Sequence, residues 1–446
     1  MTGPVFRKLS EPVDLLSVHA MAPDAWPFLL GSEAGAPALA RWSILFRRSG
    51  RPLVCHAEDA GQDSFLCRFR ESIAHHARRT NPVEAGHLPF FSGWFVYLGY
   101  ELAGQIEPKL ALPRAQDALP IAYAARCPVA LILDHLTGDH WLVGENSGWL
   151  DRAFAELMNL SLRRPEIKNL PALRVQADQA EHFLTGVERI RQWVLAGDVF
   201  QVNLSRAWRA HCDEGVDPVA VYRALSAANP APFAGLARLP RGTIVSSSPE
   251  RLVELRNGVV QTRPIAGTRP RGDSEFRDQT LSAELLAHPK ERAEHIMLID
   301  LERNDLGRVC ESGSVEVDEL MAIETYTHVH HIVSNVRGRL RPDRDALDVI
   351  AAVFPGGTIT GCPKVRCMEI IAELEQEGRS FYTGSMGYLS DDGSMDLNIL
   401  IRSMLVTDHQ ISFRTGAGIV ADSQASAELA ETEAKALGLL RALGKK

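Results

Sequence analysis

Two segments of this 446-residue chain carry glutamates three apart: Glu291 and Glu294 in PKERAEHIMLIDLERND, and Glu428 and Glu431 in SAELAETEAKAL. On a helix that spacing puts both carboxylates of a pair on one face. Two such pairs facing each other would hold a hard divalent cation, and magnesium takes oxygen ligands and keeps several waters. Each pair alone also fits an ordinary solvated helix face. Arg402, in NILIRSM, sits in an apolar run. A buried guanidinium needs an anion, either a ligand carboxylate held bidentately or an internal acid. The run Arg414–Thr415–Gly416–Ala417–Gly418 has small residues that let backbone N–H groups approach a bound anion; it also fits a tight turn or bulge.

Three other stretches are less decided. THVHHIVS groups His328, His330 and His331, a set that can bind metal or place one ring at a site while the others pack. GTRPRG, from Gly267 and Thr268 to Gly272, would hold an anionic ligand or form a rigid basic turn. FPGGTITGCPK is rich in glycine but lacks the GK[ST] ending of a phosphate loop, which excludes an NTPase site.

These residues need elements to position them. Phe183, Leu184, Val187, Ile190 and Val194 recur at helical spacing from Ala180 to Ala196, and Gly197 supplies a stop. Asp198–Ser205 reads as a strand, with Gln201, Asn203 and Ser205 on one face. Further strands are predicted at Gly242–Ser246, Leu252–Leu255, Gly384–Leu389, Ile399–Val406 and Ile411–Val420. Helices are predicted at Phe276–Ala287, Lys290–Leu301, Asp345–Val353, Lys364–Glu375 and Ala425–Leu443. Earlier in the chain, Pro128–Leu133 and Trp141–Val143 flank a Thr137–Gly138 turn and read as a hairpin. LRRPEIKNLPALRV, with two prolines and mixed charge, reads as a linker between an N-terminal lobe, residues 1–165, and a catalytic region, residues 178–443. Strands and helices without strict alternation imply an α+β fold.

Composition narrows the function. With 48 Lys and Arg against 56 Asp and Glu, the net charge is -8, and no basic stripe is available for a nucleic-acid partner. The seven cysteines show no paired CxxC spacing, so free thiols in a reducing compartment are expected rather than a zinc site. No signal-peptide core and no membrane-length apolar run is seen, so a cytoplasmic, soluble protein with no membrane partner is expected.

The motifs SSSPERLVEL, TRPIAGTRPRG, KERAEHIMLIDLERNDLGRV, FPGGTITGCPKVRCMEII, YTGSMGYLSDDGSMDLNILIRS and GAGIVADS resemble, in this order, those of the chorismate-utilising enzymes. That family includes anthranilate, aminodeoxychorismate, isochorismate and salicylate synthases. WPFLLGS, RWSIL and GWFVYLGYELAGQIEP resemble the first lobe of the two aminating members, so nearly the whole chain is covered. The resemblance implies two antiparallel sheets packed together and flanked by helices. It implies Glu294 and Glu431 as direct magnesium ligands, and Glu291 and Glu428 as ligands through water, with the metal holding the ring carboxylate of chorismate. Arg402, Tyr382 and backbone N–H groups of Gly416–Gly418 would bind the pyruvyl carboxylate. His331 would lie near the group leaving C4, and Thr358 would contact substrate.

Which member is meant turns on a few positions. The water-using members carry a lysine where this chain has Gln201, and a glutamine is no base at neutral pH. Ammonia is therefore the expected nucleophile, supplied from glutamine by a separate amidotransferase subunit. Asn203, YTGSMGY and MDLNILIR resemble aminodeoxychorismate synthase component I, which implies a 4-amino-4-deoxychorismate product for 4-aminobenzoate and folate synthesis. The alternative is anthranilate synthase component I. It is favoured by Ala266 in PIAGT, where many aminodeoxychorismate synthases carry the lysine that attacks C2. A non-catalytic chorismate-binding scaffold would be expected to lack a magnesium ligand or the carboxylate arginine, and all five residues are present.

Overall fold

The computed structural model describes residues 3–34, 40–59, 63–76, 86–161, 165, 168–325 and 329–445. Its centre is one long strand, Ala122–Asp134. Val129–Asp134 pair with Asp139–Gly144 in the expected hairpin, while Ala122–Cys127 pair with Gly93–Leu98 on the same edge. The opposite edge is covered along its length by Trp42–Cys55.

Two antiparallel wings grow from this strand. Through Trp42–Cys55 the ladder runs to Phe28–Gly31, Phe233–Leu239, Gly242–Ser248, Ser403–Val406, Gln410–Ile419 and Gln201–His211. Through Gly93–Leu98 it runs to Ser385–Ser390, Met395–Asn398, Arg251–Arg256, Val259–Thr262 and Val329–Arg339. The last strand also pairs with Ile265–Pro270 and Glu316–Thr325. The architecture is α+β with two packed antiparallel layers, as expected, except that the layers are continuous through Ala122–Asp134. The segments before and after residue 170 thus share one ladder.

The wings face each other across an aromatic core of Phe28, Phe46, Phe90, Phe95, Tyr97, Tyr123 and Tyr388. Phe28 and Phe95 stack at 3.9 Å between centroids, a contact worth about 0.5–1.5 kcal/mol beyond its burial. Helices cover the outer faces. Helix Ala180–Ala196 buries Phe183, Val187 and Ile190 and ends where Gly197, at φ +84, sends its N–H back to Trp193 and Val194. It packs with helix Lys364–Glu375 on strand Gln201–His211. Helix Ala425–Ala442 packs on strand Gln410–Ile419. Helix Pro289–Gly307 runs longer than predicted, because Glu302, Asp305 and Leu306 continue it into the core. Among the described residues no helix is long and apolar enough to cross a membrane.

Candidate active site

Strands Gln201–His211 and Gln410–Ile419 set Gly416 opposite Ser205 and Gly418 opposite Asn203. Asn203 N donates to Thr360 O and Ser205 N to Glu375 Oε1, so at these two pairs the first strand turns its N–H groups away from the second. In an antiparallel ladder such pairs turn both backbones outward. Gly416 and Gly418 therefore present N–H and C=O to their other edge, where Gly416 O accepts from Lys435 Nζ at 2.9 Å. The strand on that edge, Ser403–Val406, pairs only as far as Ser412. A Cβ on Gly416 would lie 2.8 Å from Asn203 Oδ1, from Leu204 O and from the Tyr382 hydroxyl; one on Gly418 would lie 2.8 Å from Gln201 Nε2. Close approach by polar side chains is why these positions are glycine.

Asn203 Oδ1 is buried without a hydrogen-bond partner among the described residues. Tyr382 is buried, and burial pushes its phenol up to about 12, so it stays a donor at neutral pH. The side chain of Ala417 does not belong to this face. It packs with Val202, Leu204 and Ile370, and its backbone stands opposite Leu204, between the two outward-turned glycine pairs. Arg414 is likewise turned into the protein, where its Nε donates to Ser205 Oγ at 3.0 Å and its Nη2 to Glu375 at 3.1 Å.

Arg402 lies outside regular strand. The predicted strand Ile399–Val406 is broken, and Arg402 bridges Met395–Asn398 and Ser403–Val406 with φ +49. Its carbonyl accepts from Ser247 N at 3.1 Å and Ser247 Oγ at 3.2 Å, which holds the left-handed backbone. For a residue with a Cβ that conformation costs about 1–2 kcal/mol, and such strain gathers at functional sites. The guanidinium acts electrostatically on both His331 and Glu250.

Glu250 was not singled out from the sequence. Its carboxyl is buried and accepts from Thr358 Oγ1 at 2.8 Å. Burial raises it to about 7, against the Thr358 hydrogen bond and the positive charges of Lys435 and Arg402. The only signal was the glutamate of SSSPERLVEL, which in a strand-forming run looks like a surface charge. Glu302 was missed too: burial and nearby Asp305 raise it to about 8, beside the backbone of Gly357.

His331, in strand Val329–Arg339, is buried with Nδ1 3.4 Å from Gly267 O. Burial first, and then Arg402, lower it to about 4, so the ring is neutral at physiological pH. Ala266 stands opposite Ile332 and is half-buried. Gly267 has φ +62, and a Cβ there would lie 2.9 Å from Glu291 Oε2. The backbone of Thr268 pairs opposite His331. His328 lies outside the described residues.

The acidic pairs sit on helices Pro289–Gly307 and Ala425–Ala442. Glu291 pairs with Arg269 at 3.2 Å and Glu431 with Lys435 at 2.7 Å. Glu294 and Glu428 are half-buried. Among the described residues, no cluster of three or more acidic, imidazole or thiol groups is assembled for a metal. The donor chemistry nevertheless fits magnesium: carboxylate oxygens on two helices, with Glu291 beside Gly267 on the first and Glu431 paired to Lys435, which donates to Gly416 O, on the second. Glu291 and Glu431 would first have to leave Arg269 and Lys435.

Three comparisons bear on this site. The profile of a family described as chorismate binding enzyme matches residues 42–441. An anthranilate synthase component I-like protein of Synechocystis is 49% identical over 80% of this chain and 74% of its own length. Aminodeoxychorismate synthase component 1 of Bacillus subtilis is 41% identical over 82% of this chain and 80% of its own. The crystal structure of anthranilate synthase component I from Streptococcus pneumoniae superposes with a TM-score of 0.80 at 32% identity, covering 90% of this chain and 92% of that one.

Proposed function

Starting from a chain that belongs to the chorismate-binding enzymes, we propose that it joins ammonia to chorismate and releases 4-amino-4-deoxychorismate. The choice of ammonia rests on Gln201, whose amide lies against Gly418 and which by resemblance replaces the lysine base of the water-using members, and the choice of the 4-amino product on the resemblance of Asn203, YTGSMGY and MDLNILIR. Neutral ammonia is a far stronger nucleophile than water and needs less help from a base. At C4 a C–N bond forms and the C–O bond breaks, and the hydroxyl departs as water once it is protonated. Glu250, held near neutrality, is suited to supply that proton, with Thr358 orienting it. Neutral His331 is suited to hydrogen-bond near the departing group.

Arg402, Tyr382 and the outward N–H groups of Gly416 and Gly418 would hold the pyruvyl carboxylate. Glu294 and Glu431 directly, and Glu291 and Glu428 through water, would hold a magnesium ion that neutralises the ring carboxylate. Ammonia would come from a glutamine amidotransferase subunit.

A second reading has its own support. Ala266 cannot form a covalent bond to C2, and the Synechocystis relative is named for anthranilate synthase component I. Addition of ammonia at C2 with departure of the C4 hydroxyl as water, followed by elimination of pyruvate and the ring proton, would then give anthranilate. Product identity separates the two. The purified chain is incubated with chorismate, magnesium and ammonium at alkaline pH, with and without aminodeoxychorismate lyase, and products are resolved by chromatography and mass. A 4-amino product converted by the lyase to 4-aminobenzoate supports the first reading. Anthranilate formed without the lyase replaces it with the second.

A further inference from the structure

The ladder that carries His331 has an irregularity beside it. Strands Ile265–Pro270 and Val329–Arg339 pair Ile265 with Val333 and Ala266 with Ile332, then slip, and resume with Thr268 opposite His331 and Arg269 opposite His330. The slipped residue is Gly267, in the left-handed region, and its carbonyl is the group that meets His331 Nδ1. Beyond the bulge only three residue pairs remain before this strand ends at Pro270, so side-chain ties there add to what holds the register.

One carboxylate joins both strands just past the slip. Asp278, in the first turn of helix Glu275–Ala287, accepts from Arg271 Nε, Arg271 Nη2, Gly272 N and His330 Nε2, each at 2.8 Å. Arg271 and Gly272 continue from the strand ending at Pro270, whereas His330 lies in the partner strand. His330 Nδ1 also meets Thr325 Oγ1 at 2.9 Å, which brings in the third strand, Glu316–Thr325. Arg271 first, then the Gly272 N–H and His330, hold the Asp278 carboxyl well below its usual range. Gly272 fits closely here, since a Cβ would collide with Asp278 N. Along a strand, successive side chains alternate faces, so His330 turned to the clamp leaves His331 turned to the site.

We propose that Asp278 is a positioning residue for His331: by tying Arg271–Gly272 to His330, it fixes the register beyond the Gly267 bulge and hence the place of the His331 imidazole. This rests on the reading of His331 as a group beside the reacting ring. It also gives a shared role to the GTRPRG and HVHH stretches, which the sequence left open between ligand binding and structure.

The test uses the full chain with chorismate, magnesium and saturating ammonium, comparing wild type with Asp278→Ala and Asp278→Asn. Wild-type turnover is measured first, and its absence would overturn the reading of the site and this proposal with it. If the wild type turns over, Asp278→Ala should lower kcat at least about tenfold, since a misplacement of about 1 Å can cost about a hundredfold, with KM for chorismate little changed. Asp278→Asn, which keeps an acceptor for the Gly272 N–H, should recover much of the loss. Backbone amides at His330 and His331 should exchange faster in the alanine variant, while those of Gln201–His211 do not. An alanine variant with wild-type kcat overturns the proposal. So does a loss of kcat accompanied by faster exchange throughout the protein, or an asparagine variant no better than alanine.

Discussion

Replacing Glu250 with glutamine should make the protein more stable and less active, and the two effects should part company with pH. The carboxyl ionises near its ordinary value of 4.5 in the unfolded chain but only near about 7 when folded. Between those values the folded state keeps a proton that the unfolded state has released, so stability falls as pH rises across the interval. Each tenfold change in proton affinity is worth about 1.4 kcal/mol, so above pH 7 the wild type is about 3 kcal/mol less stable than a chain with a neutral side chain there. Glutamine is that neutral side chain, and its amide oxygen still accepts from Thr358. Urea denaturation at pH 5 and pH 8 reads the difference. The variant should lead wild type by about 1 kcal/mol at the lower pH and by about 3 kcal/mol at the higher one. Turnover should fall by about 10²–10⁴, the usual contribution of a positioned acid or base. A variant that is less stable than wild type at pH 8, or offset equally at both pH values, would refute the claim that burial holds Glu250 neutral. A stability gain with unchanged kcat would remove Glu250 from the chemistry while leaving its burial intact.

Three further outcomes are expected. Gly416→Ala forces a Cβ against Leu204 O and the Tyr382 and Asn203 side chains, and should cost about 1–3 kcal/mol of stability and raise KM for chorismate; a thermal melt and initial rates check both. Arg402→Lys keeps the charge but loses the planar fork. Losing a hydrogen bond to a charged group costs about 1.5–3 kcal/mol, or about ten- to a hundredfold in KM, so an unchanged KM would exclude Arg402 as the carboxylate partner. Ala266→Lys should alter the rate or the product ratio, and if it changes neither, position 266 is not beside C2.

How much of this was legible in the sequence depended on range. Helix Ala180–Ala196 and its glycine stop were legible because periodicity and capping are local. The glycine cradle was visible as a run of small residues, but its cause, the crossing of Gln201, Asn203 and Tyr382, lies far along the chain. Arg402 stood out in the sequence as a charge in an apolar run but was misread as strand, because NILIRSM is apolar enough to hide a left-handed break that Ser247 stabilises from another strand. Glu250 and Glu302 were not seen for the same physical reason. A carboxyl's burial is a property of everything packed around it, and neither spacing nor neighbours in sequence report it. Asp278 in the run RGDSEFRDQ looked like one charge among several, and only the fold brings His330 to it.

The continuity of the ladder through Ala122–Asp134 has a consequence for anyone wishing to divide the protein. The candidate site residues all fall after residue 200, which invites expression of that part alone. Yet Phe233–Leu239 takes its outer neighbour from Phe28–Gly31, and Ser385–Ser390 takes its own from Gly93–Leu98. Severing the chain at residue 170 would strip two interior strands of a neighbour each, leaving rows of unsatisfied amides and carbonyls and one face of the aromatic core open to water. Such edges recruit other chains. The excised fragment should therefore aggregate rather than fold, and adding the first lobe back in trans should rescue solubility before it rescues turnover.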